Sequence, residues 1–180
     1  RGFPALLARD TDPKPGKGSG RLALGAWLSS PVNPLTARVI MNRIWQKHFV
    51  EGIVRTPDNF GRMGQAPTHP ELLDWLAARF VSSGWSVKTM HRELMLSSAY
   101  RMSSLASGKA MEADPENKLF SRFPRRRLDI EEIRDGLLAI DGSLDLTVGG
   151  TLQPGFGTDG EINSGRLSLN PEKITRRTVY

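Results

Sequence analysis

The chain contains no cysteine. This absence excludes disulfides, thiolate metal sites, cysteine-based catalysis and the C-x-x-C-H attachment of a c-type haem within these 180 residues. It does not indicate the cellular compartment, because a cysteine-free domain is compatible with both oxidising and reducing surroundings.

Long hydrophobic runs are lacking as well. No stretch approaches the roughly 18 consecutive apolar residues of a membrane-spanning helix, so we expect no membrane insertion. Hydrophobic residues make up 38% of the chain, and 18 glycines and 12 prolines are spread through it. This composition predicts one ordinary domain with a real core and long irregular connections.

The two ends of the chain are unusual for a whole protein. It begins at Arg1 without a methionine and ends in the β-prone run 178–180. We therefore expect a fragment of a longer protein, and the lack of a signal peptide says nothing about its targeting.

Positive charge exceeds negative charge, with a net value of +6 that comes mostly from arginine. A basic domain suggests nucleic acid, anionic polysaccharide or an acidic membrane surface as a partner. The simpler explanation is a GC-rich genome, because the charge is scattered along the chain.

Arg125, Arg126 and Arg127 form the densest basic run and are candidate anion-binding residues. Guanidinium groups bind phosphate and carboxylate through paired hydrogen bonds. Acidic residues that follow can neutralise the run locally, which is the simpler interpretation: Asp129, Glu131, Glu132 and Asp135.

The spacing of apolar residues predicts a mainly α fold: a single irregular helical domain of about five to six helices with long loops. We expect an N-terminal segment and flexible linker at 1–20, the helical domain at 21–148 and a truncated Gly/Pro-rich segment at 149–180. For the last segment we expect either one or two short strands or plain coil.

Individual helices are predicted from their apolar spacing and their caps. Two run over about 21–29 and 35–49, a third opens with a capping box of Thr68 and Glu71, and a fourth is capped by Ser86. A short helix is predicted at 115–123. A last strong helix opens at Asp129, with Glu132 three residues later, and its apolar stripe is formed by Ile130, Ile133, Leu137, Ile140 and Leu144. A short connection at 82–86 predicts antiparallel packing of the third and fourth helices.

The three histidines fall on three different segments, at 48, 69 and 91. No pair has the spacing that fixes a metal on one helix, and no nucleophile-elbow, phosphate-loop or dinucleotide-binding motif occurs. We therefore expect no metal site and no cofactor in this chain.

The candidate polar cluster joins the second helix to the 19-residue crossing at 50–68. Its members are Arg38, Asn42, Arg43, Asp58 and His69. In the structural interpretation the cluster is an internal clamp, and removing Arg43 costs about 2–4 kcal/mol by leaving buried partners unpaired. In the functional interpretation, Asp58, His69 and one arginine line an open cleft.

Several runs carry a family resemblance. They are RLAL at 21–24, NPLTARV at 33–39, NRIWQKHF at 42–49, TPDNFG at 56–61, PTHPELLDWLA at 67–77, SSAYR at 97–101, DPEN at 114–117, RRRL at 125–128, EIRD at 132–135 and RRTVY at 176–180. With them the chain resembles a planctomycete-type domain of unknown function. That domain lies toward the C-terminus of large exported proteins that also carry a cytochrome c domain. One departure is Val50, where a glycine commonly follows the phenylalanine.

The resemblance implies an exported, periplasmic parent protein whose haem is housed in another domain. The resemblance identifies no catalytic residue in this chain. The favoured function is a non-catalytic accessory or docking module whose partners are other domains of the same polypeptide, including the c-type cytochrome domain. Two alternatives stay open: part of a polysaccharide-acting enzyme completed by missing regions, and a basic nucleic-acid-binding module without specific recognition.

Overall fold

The computed structural model describes residues 18–147 and 175–177. This part of the chain is mainly α, as predicted. Its helices are α1 (Arg21–Leu28), α2 (Thr36–Phe49), α3 (Pro70–Ser82), α4 (Val87–Leu96), α5 (Gly108–Ala113) and α6 (Ile130–Asp141). The only β pairing described is an isolated parallel bridge between Asp145 and Arg176. Most of the predicted terminal segments, 1–17 and 148–174, lie outside the described residues.

The chain forms two compact units, 1–125 and 126–180. Their boundary falls inside the range 21–148 that the sequence assigns to one helical domain. The first unit contains α1 to α5, and the second contains α6.

The core of the first unit lies where α2 packs against α3 and α4. Its largest fully buried side chains include Met41, Phe49, Leu76, Phe80 and Met90. Burying a side chain of this size stabilises a fold by about 1.5–3 kcal/mol, so this apolar interface holds the three helices together.

The turn between α3 and α4 is short, as predicted, and uses left-handed backbone at Gly84 and Trp85 (φ 71° and 60°). Arg79 of α3 and Glu93 of α4 form an ion pair of 2.6 Å. The closest helix neighbour of both α3 and α4 is nevertheless α2, not the other member of the predicted hairpin.

Two of the three predicted helix caps are confirmed. The backbone N–H of Thr89 donates to Ser86 Oγ over 3.3 Å at the start of α4. At α6 the Asp129 and Glu132 side chains form the full reciprocal capping box. Both caps are built from neighbouring residues alone.

The predicted Thr68 capping box at α3 is wrong. The helix begins at Pro70 with His69 as its N-cap, and no side chain caps it. Thr68 instead donates from its hydroxyl to the carbonyl of Ile53 over 3.3 Å, and its backbone N–H donates to the same oxygen over 2.9 Å. Thr68 is thus bonded to a residue 15 positions earlier in the chain and does not cap α3.

The short helix predicted at 115–123 is absent, and α5 forms just before it. Ser107 caps α5 by accepting the N–H of Ala110 over 3.2 Å. Beyond it, the buried carboxylate of Asp114 accepts the N–H groups of Lys118 and Leu119 over 2.7 and 2.9 Å. These bonds curl the chain into a turn, because a helix would bond the same N–H groups to carbonyls four residues back.

The last helix has the predicted position, but its apolar face is not buried. Ile130, Ile133, Leu137 and Ile140 are 71%, 39%, 63% and 86% exposed. Periodicity thus predicted the helix correctly, but the apolar stripe that it indicates is exposed.

Candidate functional site

Three members of the candidate cluster, Arg38, Asn42 and Arg43, lie on α2 and form its polar row. The side chain of Asn42 is fully buried. Its Nδ2 donates to the carbonyl of Val54 over 2.9 Å, and the N–H of Val54 donates to Asn42 Oδ1 over 2.8 Å. The amide therefore holds a loop residue by both backbone groups. Its neighbours Ile53 and Val54 are buried in the core, so the first part of the crossing is pinned to α2.

Gly52 is required by this close approach. A Cβ at that position would lie 2.6 Å from the Val54 carbonyl oxygen and 2.7 Å from Asn42 Nδ2. Both distances are shorter than van der Waals contact allows, so no larger residue fits without moving the clamp.

The bend between α2 and the crossing lies at Val50, which has a φ of 69°. The N–H of Glu51 donates to the carbonyl of Phe49 over 2.7 Å, which closes a γ-turn of the rare, strained kind. A β-branched residue is unfavourable there, and the glycine common in the resembled family would relieve the strain.

Arg43 does pair with the crossing, through a 2.9 Å contact between its Nη2 and Asp58 Oδ1. The two side chains are 59% and 88% exposed, however. An ion pair so open to water contributes about 0–1 kcal/mol. Removing Arg43 should therefore not cause the loss of about 2–4 kcal/mol of stability that was expected for a buried arginine.

Arg38 connects α2 with α3 instead of with the crossing. Its Nε donates to Asp74 Oδ1 over 2.7 Å, and its Nη1 donates to the carbonyl of Pro34. Arg38 and Asp74 also line a shallow cavity of about 380 Å³ beside α3. Neither partner is deeply buried, so this pair ties the helices at the surface.

His69 lies apart from the other members of the cluster. Its Nδ1 is 3.0 Å from Thr68 Oγ1, and its ring centroid is 5.5 Å from that of Phe120. Of the five candidates, Arg43 and Asp58 contact each other, whereas Arg38, Asn42 and His69 bond to other partners among the described residues. Neither Asp58 nor His69 lines the cavity of about 380 Å³ or a second cavity of about 490 Å³.

Two other histidines contact each other in the structure, and the sequence did not predict this contact. His48 Nε2 of α2 and His91 Nδ1 of α4 are 2.7 Å apart, with the Tyr100 ring 5.5 Å from His48. A hydrogen bond this short needs one of the two nitrogens unprotonated. Burial, together with the charge of His91, lowers the pKa of His48. The available signal was that each histidine lies on the apolar face of its helix.

The three arginines of the basic run lie in different environments. Arg126 donates to both carboxylate oxygens of Glu132, over 2.9 and 2.5 Å, as the acidic sequence that follows suggested. Arg125 lines a cavity of about 490 Å³ in the first unit. Arg127 is exposed. The three arginines are therefore not equivalent.

No group of three or more potential metal-ligating side chains occurs within residues 18–147 and 175–177. In the same ranges no helix has the length and hydropathy needed to cross a membrane. The cavity of 490 Å³ contains Glu116 as its one carboxylate, and the cavity of 380 Å³ contains Asp74. Neither cavity is lined by a tryptophan.

Comparison with curated proteins and with solved structures finds no match. A family model, described as PSD1, protein of unknown function (DUF1553), matches residues 20–180. This range includes the α2 clamp, the crossing and every helix of the described residues. The chain therefore belongs to the PSD1 family of proteins of unknown function (DUF1553).

Proposed function

We propose that this chain is a non-catalytic accessory or docking module of a large exported protein. Other domains of the same polypeptide are its partners, and a c-type cytochrome domain among them holds the haem. The export, the periplasmic location, the planctomycete origin and the cytochrome domain follow from the resemblance of the sequence runs alone.

The observation that carries this proposal is the internal use of the polar groups on α2. Asn42 is occupied by Val54, Arg43 by Asp58, and Arg38 by Asp74. A catalytic site needs side chains held out toward a substrate. The polar row instead positions the crossing and α3, which is the task of a scaffold.

The docking part of the proposal is supported by the second unit. Three residues on one face of α6, Ile130, Leu137 and Ile140, are each more than half exposed. Contiguous apolar surface of this kind marks interaction sites. A partner domain on the same polypeptide has an effective concentration near the millimolar range, so a small apolar contact is sufficient to hold it.

The structure adds no specific support for the alternatives. A polysaccharide-cleaving site uses two carboxylates flanking the bond, whereas the cavities of about 490 and 380 Å³ hold one each. Much of the positive charge is paired with carboxylates, as at Arg79 and Arg126, which weakens the case for nucleic acid.

Hydrogen exchange of α6 tests the proposal. We expect its amides to exchange more slowly in the intact parent polypeptide than in this chain alone, because a docked domain would cover the helix. A Leu137→Asp substitution should remove that difference. The control Leu22→Asp, at an even more exposed apolar position on α1 (89% against 63% for Leu137), should leave it. Equal exchange in the two contexts would contradict docking through α6.

A further inference from the structure

The cavity of about 490 Å³ in the first unit lies outside the polar cluster and is not used by the proposed docking function. It is formed by the segment before α5, by α5 itself and by residues 115–125. Its volume falls in the range of about 300–1,000 Å³ that small-molecule sites occupy.

One wall of the cavity is apolar and partly exposed. Leu105 and Met111 contribute side chains that are 78% and 47% exposed. Phe123 contributes a ring that is held from behind by Phe49 and Tyr100, with centroids 5.9 and 5.2 Å away. A ligand with an apolar body would remove this surface from water.

The polar frame of the cavity is fixed before any ligand binds. Arg122 donates to the carbonyls of Asp114 and Pro115 over 3.0 and 2.8 Å. Asn117 donates from its side chain to the carbonyl of Arg122 over 2.9 Å. Since these groups are already satisfied, they shape the cavity and leave recognition to other residues.

Charge in the cavity favours an anion. Glu116 is its one carboxylate, and it is paired with Lys118 at 2.9 Å and with Arg55 at 3.5 Å. Arg125 lines the same cavity and has no partner among the described residues. A guanidinium group that is free and next to apolar surface is suited to hold a carboxylate or sulfonate.

We propose that this cavity binds a small organic anion, with its apolar body against Leu105, Met111 and Phe123 and its charged group on Arg125. The three arginines of the basic run then have separate roles. Arg126 belongs to the α6 cap, and Arg125 alone is a ligand-binding residue.

Two probes that share one apolar body test the proposal: 4-phenylbutyrate, which is charged, and 4-phenylbutanamide, which is neutral. They are titrated into the isotope-labelled chain and followed by amide chemical shifts. We expect saturable shifts at Leu105, Met111 and Phe123. The carboxylate should bind about three- to tenfold more tightly than the amide, the range for a partly exposed charge pair.

Two matched variants locate the charge. Arg125→Gln should bring the affinity for the carboxylate down to that for the amide. Arg127→Gln, two residues away and outside the cavity lining, should leave the difference unchanged. A third variant, Met111→Ser, should weaken the binding of both probes equally. Equal binding of the two probes, shifts outside the cavity, no saturable shifts, or the same loss in the Arg125 and Arg127 variants would each overturn the proposal.

Discussion

The side-chain amide of Asn42 forms both of the hydrogen bonds that a neighbouring strand would form with the backbone of Val54. A helix thereby supplies a loop with strand-like pairing. Both residues are buried, at 0% and 2% exposure, so water cannot replace these bonds. The polar row on α2 therefore helps to decide how the crossing at 50–68 folds.

Asn42→Ala should lower the free energy of unfolding by about 2–4 kcal/mol, because the N–H and the carbonyl of Val54 would be left buried and unpaired. Arg43→Ala, one residue along the same helix, should cost about 1 kcal/mol or less, since its ion pair is exposed. Urea unfolding monitored by tryptophan fluorescence measures both. A larger loss for Arg43 than for Asn42 would reverse our assignment of the clamp.

Gly52→Ala should destabilise the first unit by about 1–3 kcal/mol, because its Cβ would lie against Asn42 and the Val54 carbonyl. Gly25→Ala in α1 is the matched control. A Cβ there meets nothing within 4 Å, so the change should be neutral or stabilise by about 0.5–1 kcal/mol. If both variants are equally stable, the close approach at Gly52 is not a constraint.

Val50→Gly should raise the free energy of unfolding by about 1 kcal/mol, since glycine adopts a φ of 69° without steric strain. The gain should be visible in thermal unfolding as a higher midpoint. Val54→Gly, at a buried position, should destabilise and so serves as the control. A Val50→Gly variant less stable than the parent chain would mean that the side chain contributes more by packing than the backbone loses by strain.

Features built from neighbouring residues could be predicted from the sequence. The Ser86 cap and the Asp129–Glu132 capping box each need only residues within one helical turn. The bounds of α2 were right to within one residue because Pro34 and the apolar spacing are local signals.

Features that depend on distant residues could not be predicted. The Thr68 hydroxyl bonds to the carbonyl of Ile53, 15 residues earlier, and α3 begins with His69 as its N-cap. The sequence places Asn42 in the candidate polar cluster, but nothing in the sequence identifies Val54 as its partner. The same applies to His48 and His91, which are 43 residues apart and meet only through helix packing.

The histidine pair predicts a pH dependence of stability. Burial and His91 lower the pKa of His48 below its ordinary value of 6.5, so the unfolded chain takes up this proton more readily than the folded one. The stability contributed by neutral His48 is therefore present above pH 6.5 and is lost as the pH falls through the lowered pKa.

Unfolding in urea at pH 7.5 and at pH 5.5 measures this effect. The chain should be less stable at the lower pH, and His48→Gln should reduce the difference. The control His69→Gln changes a histidine that contacts Thr68 and Phe120. This variant should keep the loss of stability at pH 5.5 that is due to His48. An unchanged pH dependence in His48→Gln would contradict the prediction.

The exchange rate of the Val54 amide proton tests the central claim, that the polar row on α2 is an internal clamp, most directly. Its N–H lies in a crossing without regular secondary structure and is bonded to the side chain of Asn42. Our account predicts exchange at least about 100-fold slower than in an unstructured peptide, whereas the amide of exposed Arg62 in the same crossing should exchange quickly. Exchange of the Val54 amide as fast as that of Arg62 would show that the clamp does not hold in solution.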